Sequence, residues 1–312
     1  MDNTQHGNFC QEQLPLHSYT FSHRYFDSSA LYTKEIVLGK VLEEELMNGK
    51  VAREDLFVLS KLPQNGMTPE AVERFIRTSL SRLRLEYLDM YLIHFPTGTL
   101  NTGNDEEHYP LDKEGFLLQD LSTDLGQVWS AMEDCVFKGL VKGIGLSNFN
   151  KSQIQRIISN CRIVPANVQV EVNVLHQNTE LIKFCSDNDI KVTAYAPLGS
   201  PGRFGFKSTV VFAETEETKA VAAILGNKEV SKIAKELQCS PAQVLLHYLN
   251  KVLGVIVIPK STNPSRIKEN IDIFDLDMTM EQVEVLRNMN KNLRSFKADV
   301  FKRKEKHPEF PF

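Results

Sequence analysis

The 312-residue chain has no excess of charge of either sign: 36 Lys and Arg stand against 40 Asp and Glu, a formal net charge of −4. That leaves no electrostatic case for nucleic acid or an anionic membrane surface as a partner. No apolar run is long enough to cross a bilayer. The polar start, MDNTQHGNFCQEQLP, lacks the basic, apolar, small-residue order of a secretory signal. The five cysteines (Cys10, Cys135, Cys161, Cys185, Cys239) are odd in number and form no Cys-x-x-Cys pair. This argues against a disulfide framework or a zinc site, so no metal is expected, and reduced thiols point to the cytoplasm. No Gly-x-Gly-x-x-Gly follows the first strand-like stretch, where an open dinucleotide-binding sheet would carry one.

What is present is an uninterrupted alternation. Strand-like runs at 24–27, 56–61, 89–94, 141–147, 167–172, 190–197 and 255–258 are separated by segments of helical periodicity. Thr68 with Pro69 opens one such helix, and Ser240 with Gln243 and Thr279 with Gln282 have capping-box spacing. Two long segments, 95–120 and 198–227, are unpatterned and read as loops over strand ends. A hydrophobic fraction of 42 % and a charged fraction of 24 % are ordinary for a globular chain with a substantial core. No composition shift divides the chain. The expectation is one α/β domain over 1–312 with a parallel sheet of about seven strands, enough to close a barrel.

The polar residues fall where the strands stop. Asp27, Lys61, His94, Ser147 with Asn148, Gln169, Tyr195, and Lys260 with Ser261 each end an apolar run. In a (β/α)8 barrel those ends converge on the face that carries the active site. Singly, each has a blander reading as a cap, a solvated end or a satisfied buried histidine. The stretch 255–270, VIVIPKSTNPSRIKEN, reads as strand, turn and helix. Lys260, Ser261 and Arg266 beside that helix start suit a phosphorylated ligand, and a solvated basic turn stands level with it. Tyr32 has an ordinary pKa of about 10. Lys61 close by would lower it, Asp27 would orient Lys61, and His94 would direct a carbonyl oxygen towards the phenol: acid catalysis of carbonyl reduction, with hydride from a cofactor.

DSSALYTKEIVLGKVL, LFVLSKL, YLDMYLIHFP, GLVKGIGLSNFN, NVQVEVN, AYAPLGS, IPKSTNPSRIKEN and the terminal HPEFPF resemble, in order and spacing, the motifs of the aldo-keto reductases. The resemblance implies a TIM barrel that binds NADPH and reduces aldehydes or ketones. It implies Asp27, Tyr32, Lys61 and His94 as the catalytic set, with Tyr32 the general acid. Ser147, Asn148 and Gln169 match the residues that hold the nicotinamide carboxamide, and Tyr195 the aromatic that stacks on its ring. Leu198 and Ser200 fall at the pyrophosphate. Lys260, Ser261 and Arg266 match contacts to the 2′-phosphate, and Glu269 and Asn270 those to adenine.

The chain departs from the family twice. Phe95 stands where a Trp usually follows the histidine, which keeps an aromatic wall on the substrate pocket. The family's first strand and its helix have no match, so the barrel is expected to be incomplete, with residues 1–23 covering that gap irregularly or staying disordered. A monomeric cytoplasmic enzyme acting on a small carbonyl compound is the leading expectation. A catalytically silent NADPH-binding barrel with a sensing or structural role is the alternative.

Overall fold

The computed structural model describes residues 23–32, 34–202, 214–297 and 304–312. Seven strands form one parallel sheet: β1 (Tyr25–Asp27), β2 (Phe57–Leu62), β3 (Met90–Ile93), β4 (Ile144–Ser147), β5 (Asn167–Glu171), β6 (Lys191–Tyr195) and β7 (Ile256–Val257). Each strand pairs with the next in sequence, from Tyr25 opposite Phe57 to Ala194 opposite Val257. A parallel neighbour can be reached only by a crossover, so each intervening segment returns over the outer face and every strand ends on the same side. This is the order of a (β/α)8 barrel. Neither β1 nor β7 pairs with the other among the described residues. The cover expected of residues 1–23 lies, but for His23, outside the described residues.

The middle strands are buried along their length because both of their faces are covered. In β3, β4 and β5 every residue is buried, and in β2 all but Phe57. Helices supply the outer cover. α1 spans Glu35–Met47, α2 Pro69–Leu83, α3 Leu125–Phe137 and α4 Lys151–Ile158. On α2, Val72, Phe75, Ile76, Ser79, Leu80 and Leu83 recur at helical spacing and are buried; on α3, Val128, Trp129, Met132 and Cys135 do the same. Each fully buried apolar side chain of this size contributes about 1.5–3 kcal/mol.

α5 spans Thr179–Asp187, α6 Glu216–Ala222, α7 Lys228–Glu236, α8 Pro241–His247, α9 Pro264–Ile271 and α10 Met280–Arg287. The capping boxes expected at Ser240 and Thr279 form, and Asn150 makes a further one with Gln153. Thr68 is the cap residue of α2 without a side-chain cap bond, so Pro69 in the first turn carries that start. No helix among the described residues is long and apolar enough to cross a membrane.

Three sequence expectations change in detail. The segment 95–120 is not featureless: Gly98–Thr99 pairs antiparallel with Gln119–Asp120. The segment 198–227 holds α6, whose start is capped by Thr215. The last strand is shorter than 255–258, and Ile256 and Val257 are only half-buried, because β7 lies at the edge of the described sheet.

Gly39 lets α1 approach α2: a Cβ there would lie 2.1 Å from the Arg82 carbonyl oxygen. Gly39→Ala should therefore lower stability by about 1–3 kcal/mol through overpacking. Gly226→Ala, where a Cβ meets nothing within 4 Å, serves as the control and should leave the urea midpoint unchanged.

Candidate active site

Three of the four expected catalytic side chains stand at neighbouring strand ends. Asp27 closes β1, Lys61 is next to last in β2, and His94 follows β3. Tyr32 arrives by a single 3-10 turn, Ala30–Tyr32, closed by its N–H on the Ser29 carbonyl at 3.0 Å. Lys61 is the centre of the group and is 0 % exposed. Its ammonium donates to the Asp27 carboxylate and to the Ser28 carbonyl at 3.0 Å, and it hydrogen-bonds the Tyr32 side chain. Three ammonium donors thus find three partners, which a buried cation requires. Burial alone would lower the Lys61 pKa; Asp27, helped by Tyr32, outweighs it and holds the group above its ordinary value.

The Tyr32 hydroxyl is pushed above its ordinary value by burial, pulled down by Lys61 and pushed up again by Asp27. Lys61 acts in the direction expected from sequence, but loss of water is the larger effect and the net shift is upward. The residue is 45 % exposed at the mouth, so that push is weaker than for an enclosed phenol. In either case the phenol keeps its proton at neutral pH. His94 stands edge-on to the Tyr32 ring, centroids 5.8 Å apart at 89°. Burial first, then the charges of Lys61, Lys304 and His108, hold His94 well below its ordinary value, so its imidazole is neutral. Its Nδ1 lies 3.1 Å from Ser29 Oγ, which also accepts the Leu31 N–H at 3.2 Å.

A second group surrounds the first. Gln169 donates to the free oxygen of Asp27 at 2.6 Å. Asn148 donates to the His94 carbonyl at 2.9 Å and to Ser147 Oγ at 3.2 Å, and it accepts from the Tyr195 hydroxyl at 2.8 Å. Asp27, Lys61, Tyr32, His94, Ser147, Asn148, Gln169 and Tyr195 thus form one connected patch. Asn148, Ala196 and Ser200 have φ of 63°, 49° and 50°, left-handed backbone that costs non-glycine residues about 1–3 kcal/mol each. All three follow strand ends at this patch. Gly199, between Leu198 and Ser200, has φ 72°, and a Cβ there would lie 2.1 Å from the Val221 carbonyl of α6. Only glycine fits that approach.

Lys260, Ser261, Arg266, Glu269 and Asn270 form a separate group on the turn after β7 and on α9. Asn263 caps that helix by accepting the Arg266 N–H at 3.2 Å. Lys260 and Arg266 are exposed, Ser261 and Glu269 half-buried, and Asn270 buried. The turn that carries Lys260 and Ser261 follows β7, which pairs with β6, the strand that ends at Tyr195. Among the described residues no cluster of three or more His, Cys, Asp and Glu is arranged to hold a metal ion.

The wall beside His94 comes partly from the C-terminal segment. Phe312 stands edge-on to Phe95 at 5.9 Å, and Lys304 lies over the Phe95 ring at 3.8 Å. Lys304 is 4 % exposed and donates to Gln64 Oε1 at 3.3 Å, while the Gln64 amide donates to the Thr97 carbonyl and hydroxyl at 2.9 and 2.8 Å. Burial lowers the Lys304 pKa to about 7. Ser29, Gln64 and Lys304 are the residues that sequence reasoning missed. Ser29 sits inside DSSALY, two residues past Asp27, and that proximity was a usable signal; nothing local marks the other two.

The Aldo/keto reductase family model matches residues 17–291. Aldo-keto reductase family 1 member A1-A of Danio rerio is 39 % identical over 308 residues, covering 96 % of this chain and 90 % of its own length. Prostaglandin F synthase 1 of Bos taurus is 34 % identical, with 98 % of this chain and 92 % of that protein covered. The solved structure of the aldose reductase from Schistosoma japonicum superposes with a TM-score of 0.82 at 35 % identity, covering 95 % of this chain and 88 % of that one.

The buried Lys304 amine makes a pH prediction. Its value is about 7 in the folded chain and about 10.4 when unfolded. Between these two the unfolded state binds more protons, so the Lys304 contribution rises with pH; below about 7 both states are charged and it is constant at its least favourable. Lys304→Met should therefore be more stable than the parent at pH 6.5, with the difference shrinking by pH 9.5. Urea denaturation at the two pH values measures this. A difference independent of pH would place the charge in water.

Proposed function

Because the chain belongs to the aldo/keto reductase family, a family of oxidoreductases that act on small carbonyl compounds with NAD(P)H, we propose that it reduces aldehydes or ketones to alcohols with NADPH. The observation that carries this reading is the fully buried Lys61 shared between Asp27 and Tyr32, with a neutral His94 edge-on to the same phenol. Few structural needs call for an ammonium at 0 % exposure, and a proton donor that must be reloaded does.

The residues present fit a dinucleotide. Ser147, Asn148 and Gln169 offer a hydroxyl and two amides to a carboxamide, and Tyr195 offers a ring face. The left-handed backbone at Asn148, Ala196 and Ser200 is strain of the kind that ligand clamps hold. Leu198 and Ser200 would hold the pyrophosphate. Lys260, Ser261 and Arg266 would take the 2′-phosphate, and Glu269 with Asn270 the adenine. When bound, the cofactor supplies the hydride.

The chain's own residues do the rest. Tyr32 gives its proton to the carbonyl oxygen as the alcohol forms. Lys61 stabilises the resulting phenolate by charge, and Asp27 keeps Lys61 in place. Ser29 Oγ accepts from Leu31, which leaves the Ser29 hydroxyl proton for His94 Nδ1. Nε2 then carries the ring proton and holds the carbonyl oxygen by a hydrogen bond. Phe95, backed by Phe312 and Lys304, is the apolar wall for the substrate. The same proposal has residues 1–312 act as a single-domain monomer in the cytoplasm. The single parallel sheet supports one domain, and the free thiols of Cys135, Cys161, Cys185 and Cys239 support a reducing compartment.

Tyr32→Phe should reduce turnover by about 10²- to 10⁴-fold while NADPH binding, read by fluorescence titration, stays within about twofold. Unchanged turnover would remove Tyr32 as the acid; no turnover in the parent, with NADPH bound, would favour the silent barrel. Arg266→Ala should weaken NADPH by about 10- to 100-fold and NADH far less, since a charge-assisted contact of about 1.5–3 kcal/mol is lost from only one of them. Equal weakening of both nucleotides would mean that Arg266 only supports α9.

A further inference from the structure

Glu171 closes β5, two residues beyond Gln169 on the same face, and it is 0 % exposed. Its Oε1 accepts the Ser295 N–H at 2.8 Å, and its Oε2 accepts the Phe296 N–H at 2.9 Å and the Ser295 N–H at 3.1 Å. Asn173 also donates to Oε1, at 3.3 Å. The same C-terminal stretch runs along the β5 loop: the Lys291 and Leu293 N–H groups both donate to the Leu175 carbonyl, at 3.0 and 3.1 Å, and Asn290 Oδ1 accepts the Gln177 N–H at 3.2 Å. Phe296, the residue that the carboxylate holds, stands edge-on to Tyr195 with centroids 5.5 Å apart.

A buried carboxylate is a costly acceptor for backbone N–H groups, and an amide of the same size would be cheaper to bury. What the amide lacks is a second acceptor oxygen. Two consecutive N–H groups, each taken by its own oxygen, are a task for Glu and not for Gln.

We propose that Glu171 is a positioning residue for nucleotide binding: by gripping Ser295 and Phe296 it sets the Phe296 edge against Tyr195 and so holds that ring at the angle needed to stack on the cofactor. The inference rests on the reading of Tyr195 as the stacking aromatic. It makes the C-terminal segment part of the nucleotide side of the site through Phe296, as well as of the substrate side through Lys304 and Phe312.

Glu171→Gln and Phe296→Leu test it, singly and together, in the full chain. In the protein without nucleotide, the Ser295 and Phe296 amides of Glu171→Gln should exchange hydrogen at least about tenfold faster than in the parent, because one charge-assisted bond is lost. NADPH affinity should fall by about three- to tenfold in each variant, and the double variant should be no weaker than the worse single one, since both act through one contact. If Glu171→Gln does not fold, Phe296→Leu alone must show the loss of affinity. Unchanged NADPH affinity, with or without an earlier melt, would reduce Glu171 to a structural anchor and overturn the inference; additive losses would do the same. A parent that binds no NADPH would overturn this inference together with the functional reading beneath it, whereas a parent that binds and variants that bind equally would overturn this inference alone.

Discussion

The structure turns on one buried ammonium. Lys61 is in a strand covered on both faces, so its charge must be met by groups that the fold brings to it. They come from the end of β1 and the turn behind it: Asp27, the Ser28 carbonyl and Tyr32. That demand fixes the register of β1 on β2, Asp27 opposite Leu59, because a slip of one residue would turn Asp27 to the other face. It also explains why β1 can be short. Three residues of strand suffice when a charge pair and a helical turn hold its end.

From Lys61 the dependence spreads along β5. Asp27 has two oxygens; Lys61 takes one and Gln169 the other. Gln169 is thereby drawn across the barrel, from a strand four places along the sheet from β1. Two residues on, Glu171 grips the C-terminal segment, which returns to Phe95 through Lys304 and Phe312. One strand face therefore carries polar links to the Asp27–Lys61 pair at one position and to the tail at the next. A displacement of β5 would disturb both.

Much of this was legible in the chain. Seven apolar runs separated by helical periodicity gave the parallel sheet, and the polar residues ending those runs had to meet on one face of a barrel. Asp27, Lys61, His94, Asn148, Gln169 and Tyr195 were found by that rule, not by any property of their own neighbourhoods. The same rule is blind to contacts that are not made at strand ends by short paths. Lys304 lies 240 residues from its partner Gln64, and Glu171 lies 124 from Ser295. Neither periodicity nor spacing carries such a pairing. The net direction of the Tyr32 shift was missed for a related reason: the neighbouring cation is visible in sequence, but the loss of water that outweighs it is a property of the packed site.

The opposite shifts of Tyr32 and His94 have a common origin. Burial disfavours the charged form of each, and for a phenol that raises the pKa while for an imidazole it lowers it. Lys61 opposes the first shift and reinforces the second. Two groups that would ordinarily titrate at about 10 and about 6.5 are thus driven apart, and between them opens a wide pH range in which both are neutral and both carry a proton. A site built this way can offer a carbonyl oxygen two hydrogen-bond donors at once, one that keeps its proton and one that can give it up. On the proposed reading Lys61 makes Tyr32 the one that gives it up, since a phenolate beside that ammonium is stabilised, whereas the charged form of His94 would lie against it and is not.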